Sequence, residues 1–238
     1  SDRAVTVDHS ELVLDNVSFS SNRFYGILDL GGGAILSEDT NVTVSACDFR
    51  NNTAPIGGAI HFSSTFDDVA SFLTVDHSTF HLNTVEGVIQ SDLQSVGAGL
   101  FAESGTSELH VSISSSSFVN NTADQSGGGV WAFSLSSAST LELVDTEFSW
   151  NSAYVGAGVM SFLPTNVTGC SFEDNAAFQG AGLMLNSGLS SVLNTNFTSN
   201  SAVDSAGALE TTSNAVVVVA DSLFSDNSAS NFGGSVLI

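Results

Sequence analysis

The side chains able to do chemistry in this chain are few and scattered. Its five histidines are His9, His61, His77, His81 and His110, and no two stand in the HxH or HExxH spacing that brings both onto one metal. His77 and His81 lie on either side of Phe80, where a bend and a surface position account for them without a ligand role. Lysine is absent, and Arg3, Arg23 and Arg50 are the only fixed cations against 25 Asp and Glu, a net charge of −22. That sign argues against nucleic acid and anionic membrane surfaces, which require cations to neutralise phosphate. Carboxylates with neither a paired acid nor a neighbouring base offer recognition rather than bond breaking. With loop carbonyls they would also suit calcium, but there is no D-x-D-x-D-G loop and no GGxGxD nonapeptide, so neither a metal nor a cofactor is expected.

Two further chemistries are open. Six N-x-[ST] sequons, at Asn16, Asn41, Asn51, Asn120, Asn166 and Asn196, are acceptors for N-linked sugar in a eukaryotic secretory pathway. Trp150 offers an aromatic face to a sugar ring or a protein neighbour, with partial cover from a flanking segment expected. Cys47 and Cys170 fall in the same place of a repeat, four copies apart, too distant for a disulfide; they are expected as free buried thiols.

That repeat is what must position everything else. A Phe followed three residues later by Asn recurs eight times: Phe19/Asn22, Phe49/Asn52, Phe80/Asn83, Phe118/Asn121, Phe148/Asn151, Phe172/Asn175, Phe197/Asn200 and Phe224/Asn227. Each pair is trailed by a small-residue triplet ending in an aliphatic, such as Gly33-Ala34-Ile35 or Ala157-Gly158-Val159. Five residues before each Phe stands an aliphatic (Leu14, Val44, Val75, Ile113, Leu143, Val167, Val192, Val219), and seven before is usually apolar, the period-2 alternation of a strand. Three before the Phe, residues that tolerate a left-handed backbone predominate, which predicts a tight bend. Two before it the side chain is small. A unit of strand, bend, Phe strand, turn at Asn and glycine-led strand is one turn of a solenoid.

The predicted fold is all-β: a single-stranded right-handed parallel β-helix of about eight coils, occupying residues 1–238 as one domain. Coils stacked at about 4.8 Å would put Phe over Phe as core and Asn over Asn as an amide ladder of eight rungs, Asn22 to Asn227. No polar cap is visible at either end, so the chain is expected to be a segment of a longer protein. No apolar run is long enough to insert into a membrane.

Function in a solenoid concentrates where the repeat is interrupted. The path from triplet to next Phe is longer after Ile60, Leu100 and Val130, which predicts arms at 62–70, 101–107 and 131–139 projecting side by side from one edge. Further excursions are expected at 84–96 and 23–31. Together these carry Asp67, Asp68, Glu86, Asp92, Glu103 and Glu108, an acidic candidate recognition surface that Trp150 joins as an aromatic.

FxxN paired with GGA[ILV] resembles the repeat of the chlamydial polymorphic outer-membrane proteins; Gly32-Gly33-Ala34-Ile35 and Gly57-Gly58-Ala59-Ile60 match in full and the other copies are relaxed. The resemblance spans nearly the whole chain and implies a surface-exposed β-helix in adhesion or in an extracellular layer. The membrane barrel of that bacterial family has no counterpart here. The expected function is a non-catalytic protein, extracellular or at the cell surface, acting as an adhesin or as a structural subunit of a fibre or coat. Its expected partners are copies of itself, other surface proteins or extracellular glycans. The alternative is a polysaccharide-binding or polysaccharide-cleaving β-helix of the pectate-lyase-like type, for which the arginines stand in the wrong columns.

Overall fold

Alternating aliphatic residues, a left-handed bend and a short Phe strand recur at every coil, and the chain winds accordingly into parallel sheets. The structure, a computed structural model, describes residues 4–25, 31–65, 69–86, 95–212 and 215–238. Strands carrying the aliphatic pairs form an eight-stranded sheet, those carrying Phe a second of eight, and the glycine-led strands a third of nine. Each strand pairs with its equivalents in the coils before and after, so the molecule is a parallel β-helix. A short extra strand follows the Asn in six coils, for example Thr53–Ala54 and Thr122–Ala123, and forms two three-stranded sheets that the repeat did not predict.

Register is kept column by column. Phe19, Phe49, Phe80, Phe118, Phe148, Phe172, Phe197 and Phe224 pair in sequence, each ring stacked on the next with centroids 4.4 to 5.2 Å apart. That is the strand spacing itself, so ring contact and backbone pairing reinforce one another. Around this stack close Val42 and Val44, Leu73 and Val75, and Ile60, Leu100 and Val130 from the facing sheets.

Beside the Phe column runs the amide ladder. The Asn83 backbone N–H and side-chain amide both donate to Asn121 Oδ1 at 3.0 Å, and the second amide hydrogen goes to the Phe49 carbonyl at 2.9 Å. The same three bonds recur at Asn52, Asn121, Asn151, Asn175 and Asn200. A side chain that would be costly to bury alone is thereby satisfied on every side.

The end rungs correct the expectation of eight equivalent ones. Asn227 is half-exposed rather than buried, and it makes one of the three donor bonds, to the Phe197 carbonyl at 2.9 Å. It still accepts from the Asn200 N–H at 3.0 Å and amide at 2.9 Å, but among the described residues no later Asn receives its own N–H and second amide hydrogen. The reason is position: a rung is completed by the coils on both sides, and Asn227 and Phe224 are covered on one side only. Asn22 is the mirror case, half-buried, donating to Asn52 Oδ1 with no earlier Phe carbonyl to reach.

Two more ladders were invisible in the repeat. The column two before Phe, expected only as a small-residue slot, is a hydroxyl relay. Ser78 Oγ accepts from the Cys47 N–H at 3.0 Å and donates to the Asp76 carbonyl at 2.8 Å, and Ser116 and Ser222 act alike. Cys47 and Cys170 occupy this column as free buried thiols, and burial pushes Cys170 up to about 11. At the corner after the glycine-led strands, Ser71 bonds Ser64, Ser104 bonds Ser107 and Ser139 bonds Ser134 within their own coils, while Ser64 with Ser107 and Ser134 with the Ser107 carbonyl link one coil to the next.

The bends follow from backbone sterics. Three before each Phe, φ lies between 46° and 68°, at Asn16, Ala46, His77, Ser115, Asp145, Gly169, Asn194 and Asp221. A second left-handed column, with φ of 52° to 60°, falls two after each Phe. At Gly127 the left-handed backbone brings a would-be Cβ within 2.6 Å of the Val130 carbonyl, and at Gly129 one would meet the Phe148 ring at 3.2 Å and the Gly158 carbonyl at 2.4 Å. Glycine is there because the coil turns too close to itself for a side chain.

The ladder predicts a position-dependent cost. Asn121→Ala, in mid-stack, should destabilise by about 3 kcal/mol or more, since it strands both Asn83 donors and the Phe80 carbonyl in the interior. Asn22→Ala or Asn227→Ala, at the partly exposed end rungs, should cost less than half as much; equal losses in urea unfolding would contradict the ladder as the organising bond network.

Candidate functional site

Lengthened runs after Ile60, Leu100 and Val130 were expected to be arms, and their first halves are not. Phe62 lies in strand Ile60–Ser64 with its ring in the core, and Phe101 and Trp131 are buried in strands Leu100–Ser104 and Val130–Ser134. The glycine-led strands are simply longer there, five residues against three in Val159–Ser161 and Leu183–Leu185, and their outer face is also covered. Phe101, Trp131, Met160 and Met184 make a second apolar column on that face, closed by Val96 and backed by Ile56 and Val155. What remains of the arms is the corner: the Gly105 N–H bonds the Ser64 carbonyl and the Leu135 N–H the Gly105 carbonyl, so the corner segments do lie side by side.

Of the six acidic residues expected to form one surface, the three among the described residues, Glu86, Glu103 and Glu108, stand in three different places. Asp67, Asp68 and Asp92 lie outside the described residues. Glu86 follows the short strand Thr84–Val85, on the side where the chain enters the glycine-led sheet. Glu108 lies beyond that sheet, with Oε2 3.5 Å from His110 Nε2. Glu103 is not on an arm: it stands half-buried in strand Leu100–Ser104, in register with Ser63 and Phe133. Loss of water around it raises its carboxyl above the usual range. Glu210, buried at the end of the Phe101–Met184 column, is raised by the same cause although Ser205 Oγ donates to it at 3.0 Å.

Trp150 was expected to be partly covered and is instead 60 % exposed, because no described segment crosses its corner of the coil. Near it lies an aromatic pair that the repeat did not single out. Tyr154 and Phe178 occupy the third position after Asn in adjacent coils, rings 4.8 Å apart and 4° from parallel. Tyr154 is 54 % exposed, Phe178 is half-buried under it, and Val203 continues the line on the next coil at 60 %. Carboxylates stand beside this ridge: Asp124 in the preceding coil, Asp174 on the rung below Trp150, and Asp204, which accepts from Gln179 Nε2 at 3.1 Å. The signal was present in sequence as the Asn+3 column, but only coil stacking makes those residues neighbours.

Among the described residues one group has metal-ligand types together: Asp8, His9 and Asp39, whose ligand atoms lie within 4.8 Å of one another. His9 and Asp39 follow the ends of successive glycine-led strands in left-handed backbone, and His9 Nδ1 contacts Asp8. A cleft of about 320 Å³ opens beside them, lined also by Asn41, Ser64 and Ser71. The Asp39 carboxylate already receives the Thr65 N–H at 2.6 Å and Thr65 Oγ1 at 2.8 Å, so the acid caps the next coil. Thirty residues separate its members in sequence, which hid the group from motif reading.

All six sequon asparagines are exposed. Asn41 and Asn166 face outward from the aliphatic sheet, Asn196 opens a Phe strand, Asn16 sits in the first bend column, and Asn51 and Asn120 sit in the second. His77 is an exposed bend residue bonded to Asp76, as expected, and His61 is buried, accepting from the Gly31 N–H at 3.0 Å.

No family model matches the chain, and no solved structure matches it. The chain is similar to metabotropic glutamate receptor-like protein R of Dictyostelium discoideum, 27 % identical over 227 residues. The match takes in 91 % of this chain and 13 % of that protein, so the chain spans a small part of its relative's length.

The two raised carboxyls carry a pH signature. A carboxyl whose folded pKa exceeds its unfolded value opposes folding once it ionises, so its cost is absent in acid and appears as pH rises from about 4.5. Glu103→Gln and Glu210→Gln should therefore raise Tm at pH 7 and leave it nearly unchanged at pH 4; thermal unfolding across that range measures it.

Proposed function

We propose that this chain is a non-catalytic recognition module displayed outside the cell, acting in adhesion. The observation that carries this reading is the ridge of Tyr154, Phe178 and Val203, a stacked aromatic pair continued by an exposed aliphatic on three successive coils and flanked by Asp124, Asp174 and Asp204. A contiguous apolar strip rimmed by polar groups is the usual form of a binding surface, and aromatic residues dominate the energetics of such surfaces. Its chemistry suits extracellular glycans or the surface of another protein, with Asp174 and Asp204 as flanking acceptors.

Three further facts support an extracellular setting. The net charge of −22 with no Lys disfavours nucleic acid. The FxxN and GGA[ILV] pattern resembles that of bacterial surface proteins. The chain is also similar to part of a protein described as receptor-like.

The test is binding of the immobilised chain to a glycan array and to cell surfaces, alongside a Tyr154→Ala/Phe178→Ala double variant. Binding should weaken about tenfold in the variant while its Tm holds, because the ridge lies outside the core. Undiminished binding by the variant would remove the ridge from the account. Regular self-association in sedimentation without ligand would favour the fibre or coat subunit, and release of reducing ends from a polysaccharide would favour the cleaving alternative.

A further inference from the structure

The second left-handed column runs Ser21, Asn51, Leu82, Asn120, Trp150, Asp174, Ser199 and Asp226, one residue per coil. Left-handed backbone is tolerated by short polar side chains that bond locally, and it is disfavoured for bulky ones. Six of the eight rungs obey that rule. The two that break it, Leu82 and Trp150, stand on the rungs directly before and after Asn120: the Leu82 N–H bonds the Val119 carbonyl at 3.2 Å and the Asn120 N–H the Ser149 carbonyl at 2.9 Å. The second exception is also the exposed indole of the molecule. Two strained, apolar side chains thus bracket one asparagine.

That asparagine opens the sequon Asn120-Asn121-Thr122. Asn120 and Thr122 are both exposed, whereas in the sister sequon Asn51-Asn52-Thr53 the threonine is buried and the Asn51 amide donates to Ser21 Oγ at 3.1 Å. Among the described residues nothing bonds the Asn120 side chain. Its backbone lies one strand spacing, about 4.8 Å, from that of Trp150 in the same column, so a sugar on Asn120 would emerge beside the exposed indole.

We propose that Asn120 carries an N-linked glycan whose first N-acetylhexosamine rests on Trp150, with Leu82 closing the opposite side. The Asn120 Nδ2–C1 bond forms as the C1–O bond of a lipid-diphosphate-linked oligosaccharide breaks; the amide loses one proton and the diphosphate leaves. The sugar covers the indole, which offsets the strained backbone that holds it outward. This inference rests on the extracellular reading, since the modification belongs to the secretory route.

The experiment secretes the 238-residue chain from eukaryotic cells, maps its glycopeptides and measures acrylamide quenching of tryptophan before and after enzymatic removal of glycans. Trp131 is buried, so the quenchable signal belongs to Trp150. Asn120 should be occupied, and removal of its glycan should raise quenching about twofold. Asn120→Gln should abolish that difference while the other sequons keep their sugars. Trp150→Gly should raise Tm in the unglycosylated protein, by relieving the left-handed backbone, and fail to do so in the glycosylated one. A bare Asn120 beside occupied sequons elsewhere overturns the proposal and leaves the extracellular reading standing, as does an occupied Asn120 with unchanged quenching. Protein from its native source that carries no glycan at any of the six sequons likewise overturns the proposal, while the extracellular reading stands or falls by the binding test of the Tyr154–Phe178 ridge.

Discussion

Each buried Asn of the central ladder has its partners in the coils on either side of it and none within its own. Asn121 accepts from the Asn83 backbone and amide, donates to Asn151, and reaches back to the Phe80 carbonyl. One coil alone would leave an amide and two backbone groups unpaired in an apolar interior, at a cost of several kcal/mol. The coil is therefore not a folding unit, and stability is a property of neighbouring pairs. The ladder also fixes register. A slip of one residue would turn every Phe outward and break every amide bond at once, so the Phe stack and the Asn column specify the same arrangement.

Once the interior is committed to ladders, the exterior is left free. The glycine-led sheet uses part of that freedom for a second apolar column, His61, Phe101, Trp131, Met160 and Met184, packed in the recess beside Ile56, Val96 and Val155. That column runs over the longer strands after Ile60, Leu100 and Val130 and over the shorter ones that follow, and Glu103 and Glu210, drawn onto the same face, hold raised carboxyls. The opposite corner has no such cover. There the left-handed turns project Trp150 into solvent, and the following strand presents Tyr154 with Phe178 stacked beneath it. This corner is where the proposed recognition surface lies.

Burial and repetition set what was legible. The Phe, Asn, aliphatic and bend columns repeat because each coil solves the same packing problem, and an eightfold repeat is readable from one chain. The repeat made its eight asparagines look alike, whereas burial separates Asn227 from the rungs inside the stack, since identical residue types are completed only by coils on both sides. Hydroxyl relays at Ser78 and Ser116 were half legible: smallness was apparent, but the bond each hydroxyl makes to the coil before it was not. The Tyr154–Phe178 ridge was half legible, since its members share the third position after Asn but the residue type there changes from coil to coil, and the Asp8–His9–Asp39 group was not, since no residue type repeats at its positions.

The sequence by itself determined the parallel β-helix, its register, its Phe core and its amide ladder. Those depend on local backbone preference and on which side chains must leave water, and both are properties of residue type and spacing. Only the tertiary structure decided which exposed residues become neighbours. Coil stacking brings positions 24 to 38 residues apart to within one strand spacing, so it sets Trp150 beside Asn120, Phe178 against Tyr154 and Asp39 under His9. The residue types that make those lateral contacts vary from coil to coil, because nothing in the core requires them.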